Sequence, residues 1–307
     1  MNKTKFSGMV YALLAAIFNG TVGVLSVKLF QSGVSPSQVA FYKCFIGLII
    51  IFSIILLSPK RNDFLKFIRA RWYIVLVCAF FGFFILYHFE THAYSTTDVS
   101  TVVFVLFGSA TLFSFILSAI AEKRFFGFKE IQAMILSVIG LYLIFAENGN
   151  IDLTINAGLI NALIAGLGYG LFLFLSKKLK LGAGFPQLGT LFLFGCLFLY
   201  IPVHGDVLNV TMTVEIFILL LLLAILPTIA GFWCTTKALT LTSSQSVQLI
   251  ELSEPIFAIV FSVIFLGQLS SLIQYLGGAL IFIAILLHEF PVSLQKIKSL
   301  FSSRSVK

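Results

Sequence analysis

Charged side chains make up only 10% of this 307-residue sequence, where an ordinary soluble domain carries roughly 25%. With 59% hydrophobic residues, 35 Phe and a mean hydropathy of +1.07, that shortage excludes a soluble globule, because one buried core cannot hide so much apolar surface. Cysteine is sparse too. Cys44, Cys78, Cys196 and Cys234 fall inside apolar runs without paired or C-x-x-C spacing, which argues against a disulfide framework and a zinc site and reads as packing. No G-x-x-x-x-G-K-[ST] loop occurs, so ATP hydrolysis is not the expected energy source. The first apolar run lacks a small-residue cleavage site and is followed by many similar runs, so it reads as a mature first helix and not as a removed signal peptide. Long polar loops are absent as well, the longest running from about Pro59 to Arg71, and this disfavours a binding or signalling role that would need an attached soluble domain.

What is present is a series of apolar runs, each close to the roughly 20 residues of one helical crossing. Cutting at polar, Pro, Gly and Ser interruptions predicts ten: Gly8 to Phe30, Ser37 to Leu57, Trp72 to Ala93, Val99 to Ala121, Ile131 to Ala146, Ala157 to Leu175, Phe185 to Val203, Val214 to Ala238, Ser244 to Leu266 and Ser270 to Leu287. The fold class expected is an all-α membrane protein. With the N-terminus cytoplasmic, 18 of the 20 Lys and Arg residues fall inside, and the outward loops around Asp98, Asp152 and Asp206 contain none. The positive-inside rule then places both termini in the cytoplasm and supports an even helix count. The net charge of +8 thus reports topology and contact with anionic membrane lipid. A nucleic-acid partner is not expected, since no basic face carries interleaved exposed aromatics.

Ten helices divide into five plus five, with expected halves at 1–150 and 151–290 and a basic cytoplasmic tail at 291–307. Thr91-His-Ala-Tyr-Ser-Thr-Thr before the fourth helix echoes Thr236-Lys-Ala-Leu-Thr-Leu-Thr before the ninth at an offset of 145 positions. Because five is odd, the second half enters from the opposite side, the arrangement of an inverted repeat that encloses a substrate site near the midplane.

These features, with Phe41-Tyr-Lys-Cys-Phe in the second helix, Ala93 and Ala238 in small-residue turns, and Leu252-Ser-Glu-Pro-Ile-Phe-Ala258 in the ninth, resemble the ten-helix EamA-type carriers of the drug/metabolite transporter superfamily. Ala110 stands where the first half would place its Pro, Gln268 replaces an acidic residue common after the ninth helix, and Glu122 keeps the one after the fourth. The resemblance implies a basket in which helices 1, 3, 4, 6, 8 and 9 enclose a central cavity with 5 and 10 peripheral. It also implies alternating access and no nucleotide cofactor. Lys43 is placed to snorkel to the outer interface, whereas its match to the family's Arg points to a buried charge partner.

An ionisable group inside a span costs about 2.5 to 3.5 kcal/mol on insertion scales and faces a cavity or a partner. Glu251 and Glu254 share one face of the ninth helix. Either they line the cavity, where they would neutralise a cationic or zwitterionic solute or carry a coupling proton, or they are structural carboxylates near backbone opened by Pro255. His88 and His92, spaced i, i+4, share a face of the third helix while Glu90 projects elsewhere. They suit the cavity, an interface, or a metal site that would make the chain an intramembrane metal-dependent enzyme, although no third ligand is adjacent. Asn19 near the centre of the first helix bridges helices or donates to a solute. Tyr169, between Gly168 and Gly170, needs a partner for its hydroxyl. Trp233 and Lys237, four apart, line one side of the pathway unless Lys237 is an orientation signal. Together these residues predict a secondary carrier, not an enzyme, that exports small polar organic metabolites such as amino acids or amines across a prokaryotic cytoplasmic membrane.

Overall fold

Within the computed structural model, the structure describes residues 3–289 apart from 59–60, 124, 126, 146–155, 204, 207–208, 252 and 270. The tail expected at 291–307 and the loop at Asp152 lie outside the described residues. All regular structure among the described residues is helical, in ten rods. These are α1 (Lys3–Asn19 and Val22–Gln31), α2 (Pro36–Leu57), α3 (Arg61–Ala79, Phe80–Ile85 and Leu86–Tyr94), α4 (Val99–Glu122) and α5 (Phe128–Phe145). The second set is α6 (Ala157–Lys178), α7 (Phe185–Val203), α8 (Val214–Leu223, Ala224–Gly231 and Phe232–Leu241), α9 (Ser244–Glu251 and Glu254–Leu266) and α10 (Leu272–Glu289). Among the described residues, six of these stretches are long and apolar enough to cross a membrane by length and composition, in α1, α2, α3, α6, α7 and α8. The chain is a multi-pass membrane protein, and side chains such as Leu57, Phe217 and Ile264 face outward from the bundle.

Local sequence explains the starts and the breaks. Ser35 caps α2, accepting from the Gln38 amide while the Gln38 side chain accepts from Ser35, and Pro36 occupies the first turn, where its missing N–H costs nothing. Both α3 and α8 pass through a wider π-helical stretch at mid-length, Phe80–Ile85 and Ala224–Gly231. In α8, Pro227 removes one backbone donor, and the Thr228 hydroxyl bonds the Leu223 carbonyl at 2.8 Å. Two further rods are interrupted at the same level: α1 after Asn19, and α9 before Glu254-Pro255. A methyl group on Gly20 would stand 2.8 Å from Phe257 Cβ and 3.2 Å from the Ala258 nitrogen, so the break in α1 lies directly against the second piece of α9.

The principal helix pairs are α1 with α8 and α9, α6 with α3 and α4, α2 with α7, α3 with α7, α8 with α2, α4 with α9, and α5 with α10. Adding five to each helix number, modulo ten, maps these pairs onto one another, whereas two further contacts of comparable extent, α2 with α3 and α4 with α5, are not matched to the same extent in the second set. Small residues set the closest approaches, as expected where lipid gives no hydrophobic drive for helices to associate. A Cβ on Gly170 would lie 3.0 Å from the Ala110 carbonyl of α4, and one on Gly140 would lie 2.6 Å from the Gly277 carbonyl of α10. Gly277 lies at this α5–α10 contact, and Gly278 packs against the Phe104 ring. The four cysteines are free and buried.

Candidate functional site

A narrow polar cavity, with ≈ 30 Å³ of room for water-sized groups, lies where α1, α2, α3, α4, α6, α8 and α9 converge. Its polar lining is Asn19, Lys43, Glu90, Tyr169, Thr228 and Glu254, and its apolar lining includes Tyr87, Phe107 and Phe232. Below it, Phe83 packs against Phe232, Tyr87 and Phe192 with ring centroids 4.7, 5.0 and 5.3 Å apart, and Phe232 meets Phe172 at 5.1 Å. The aromatic floor ties α3, α6, α7 and α8 together and keeps the polar groups in a low-dielectric setting, where charges act strongly on each other.

Lys43 is fully buried, so it does not reach the outer interface. Its ammonium donates to Glu90 Oε2 and to Thr91 Oγ1, each at 3.5 Å, and lies 3.9 Å from the centroid of the Tyr87 ring. Burial is possible because a carboxylate on α3 and an aromatic face replace water around the charge. Glu90 receives a second donor, the Tyr94 hydroxyl, at 3.5 Å. Lys43 and Glu90 form the one ion pair among the described residues.

Glu254 lines the cavity and is 6% exposed. The Asn19 amide, presented at the break in α1, is close enough to act on it as a donor, and Glu90 and Glu251 lie within electrostatic reach. No cation pairs with Glu254 among the described residues. Glu251, one turn earlier, is fully buried behind the cavity wall, and Tyr169 and Thr235 both donate hydroxyls to it, the latter at 2.6 Å. Tyr169 therefore joins cavity and Glu251. Asn19-Gly20 and Tyr169-Gly170 are 150 positions apart on α1 and α6, and each presents a donor to one carboxylate of α9.

The structure thus gathers Glu254, Asn19 and Tyr169 at the cavity, with Glu251 one bond behind. It leaves His88, His92 and Trp233 outside. His88 is stacked on Phe84 at 5.7 Å and lies 4.2 Å from the His92 ring, while His92 bonds the Ser37 hydroxyl at 3.4 Å and the His88 carbonyl at 2.8 Å. Trp233 packs edge-on to Tyr11 at 5.5 Å. No group of three metal-ligating side chains exists among the described residues. The i, i+4 rule correctly put the two histidines on a common face, but that face looks away from the cavity, and Glu90, between them in sequence, is the group that looks in. Sequence reasoning missed Glu90 as a site residue. The signal available was charge matching, since Glu90 and Lys43 are two costly intramembrane ions of opposite sign.

Comparison with known proteins agrees with this architecture. The EamA-like transporter family matches twice, over residues 6–146 and 156–289. The chain belongs to that family and is a transporter of the EamA type. It is 23% identical over 250 residues to the uncharacterized transporter YdfC of Bacillus subtilis (strain 168), covering 80% of this chain and 79% of that one. An uncharacterized transporter of Clostridium kluyveri is 26% identical over 272 residues, with coverages of 85% and 86%. A solved crystal structure shares the fold with a TM-score of 0.63 at 14% identity, over 92% of this chain and 96% of that chain.

Proposed function

We propose that the chain is a secondary carrier that exports small, polar, amine-bearing metabolites, amino acids or related amines, across a prokaryotic cytoplasmic membrane. Ten crossings place both termini in the cytoplasm, and two inverted halves, 1–150 and 151–290, rock against each other around the cavity. The double family match and the helix pairs that survive a shift of five support the inverted halves. The basic residues flanking the helices support the orientation.

The observation that carries the substrate reading is Glu254, a cavity carboxylate beside an amide and unpaired with any cation among the described residues. A desolvated ammonium gains there from the carboxylate and from the faces of Tyr87 and Phe232. The coupling ion of this reading is the proton, carried on the α9 carboxylates. His88 and His92 have no third ligand among the described residues, so no observation on those residues favours the metal-enzyme alternative.

Flux of labelled amines and amino acids in proteoliposomes tests the proposal. The expected result is protein-dependent flux that Glu254→Gln lowers at least tenfold and that an imposed pH gradient drives. Absence of flux for every such solute, or full flux in the variant, removes the proposal.

A further inference from the structure

The cavity holds a cation as well as a carboxylate, and the cation is loosely held. An ammonium has three donors; that of Lys43 faces the Tyr87 ring at 3.9 Å and meets two oxygen acceptors, both at 3.5 Å, beyond the usual 2.7 to 3.2 Å of an N–H···O bond. Its partner Glu90 is equally slack, with both oxygens engaged only at 3.5 Å. All three ionic groups, Lys43, Glu90 and Glu254, border the same space. The Lys43–Glu90 pair lets each ion neutralise the other, but neither is saturated at these distances.

We propose that Lys43 is the specificity-determining residue of the carrier. It exchanges its Glu90 partner for the carboxylate of a zwitterionic substrate, whose ammonium then sits between Glu90 and Glu254. This rests on the reading of the cavity as the transport site and adds which end of the solute each charge takes. The exchange gives a row of two pairings: the substrate carboxylate with Lys43, and the substrate ammonium between Glu90 and Glu254. Each ion then has an opposite charge for a neighbour, and the row closes only when the solute carries both groups. An amine without a carboxylate leaves the Lys43–Glu90 pair intact and engages Glu254 alone. A carboxylate without an amine must displace Glu90 from Lys43 with nothing to stabilise Glu90 and Glu254, two like charges at close quarters in a poorly solvated space.

The test uses the full chain in proteoliposomes, with protein-free vesicles subtracted. Labelled leucine, leucinol and 2-hydroxyisocaproate share a skeleton and differ in which charged end is present. The alanine and phenylalanine skeletons are run in parallel, so that side-chain size does not decide the outcome. For at least one skeleton, flux of the zwitterion should exceed that of the amino alcohol and of the hydroxy acid by about tenfold, equivalent to about 1.4 kcal/mol. In the double variant Lys43→Met/Glu90→Gln, which removes both ions together, the ratio of zwitterion to amino alcohol should fall to about one. Lys43→Arg should keep the preference. Equal flux of amino alcohol and zwitterion on every skeleton in the unaltered protein overturns the inference while leaving an amine carrier standing. A double variant that still prefers the zwitterion also overturns it, since the pair would then be structural. No flux of any probe ends both this inference and the carrier reading.

Discussion

The helices α3 and α8 use the same backbone device for different chemistry. Each is widened at mid-length, at Phe80–Ile85 and Ala224–Gly231, and each brings an aromatic residue to the cavity after it, Tyr87 and Phe232, 145 positions apart and with rings in edge contact at 5.4 Å. At the next aligned pair the chemistry parts: Glu90 on α3 carries a charge into the cavity, while Thr235 on α8 carries a hydroxyl that serves Glu251. One buried carboxylate is balanced by an ammonium, and the other is bound by two hydroxyls. A scaffold most of whose pairings survive a shift of five helices therefore does not impose a symmetric site. The asymmetry is written in side chains.

The sharpest way to break that comparison is to remove one ion from the α3 side. Lys43→Ala leaves Glu90 buried without its counter-ion, and losing one member of such a pair costs about 3 to 5 kcal/mol. Thermal or denaturant unfolding in detergent micelles should register that loss, with most of it recovered in Lys43→Met/Glu90→Gln. A loss below about 1 kcal/mol in the single variant would mean that water, and not Lys43, balances Glu90. On the α8 side the effect should be smaller, because no bare charge is created. Tyr169→Phe and Thr235→Val each take one donor from Glu251, for about 1.5 to 3 kcal/mol apiece, the range for hydrogen bonds to charged groups. The two losses should not add, since both act on one carboxylate. Strict additivity in the double variant would show that the hydroxyls do not share Glu251.

Much of this architecture was legible in the sequence, and the limits have physical causes. Apolar runs announce helices because lipid requires a satisfied backbone, and the echo near Thr91 and Thr236 marked the correspondence of α3 with α8. Glu254, Asn19 and Tyr169, which line the cavity, stand out in the sequence because a polar group is conspicuous inside an apolar run. Which way a residue faces was harder. Helical spacing fixes relative directions only, so His88 and His92 could be placed together but not aimed. The π-helical stretches add to the difficulty, since each rotates the residues after it relative to a regular helix. Glu90 follows such a stretch.

That rotation can be probed where the wider turn is packed most tightly. Gly82 lies in the π-helical stretch of α3, and a Cβ there would stand 2.5 Å from Cδ2 and 2.8 Å from Cγ of Phe172, which is fully buried on α6. Gly82→Ala should therefore cost about 1 to 3 kcal/mol of stability as an overpacked contact. It should also reduce flux, because the Phe172 ring packs against Phe232 of the cavity lining at 5.1 Å. Phe172→Leu should relieve part of both losses. Unchanged stability in Gly82→Ala would mean that α3 and α6 are free to separate at this level.

The smallest effect belongs to the histidine pair, and it separates location from conspicuousness. His88 and Glu90 are two residues apart on the same helix, yet Glu90 lines the cavity while His88 is partly buried against Phe84 and His92, with its Nδ1 unbonded. Replacing His88 with Ala removes ring packing at a partly exposed site, for which about 0.5 to 1 kcal/mol is reasonable, and takes nothing from the polar lining. Flux in His88→Ala should stay within about twofold of the unaltered protein under conditions where Glu254→Gln has lost it. A loss in His88→Ala comparable with that of Glu254→Gln would place the transport path along the outer face of α3, and the cavity bounded by Lys43, Glu90 and Glu254 would no longer be the site.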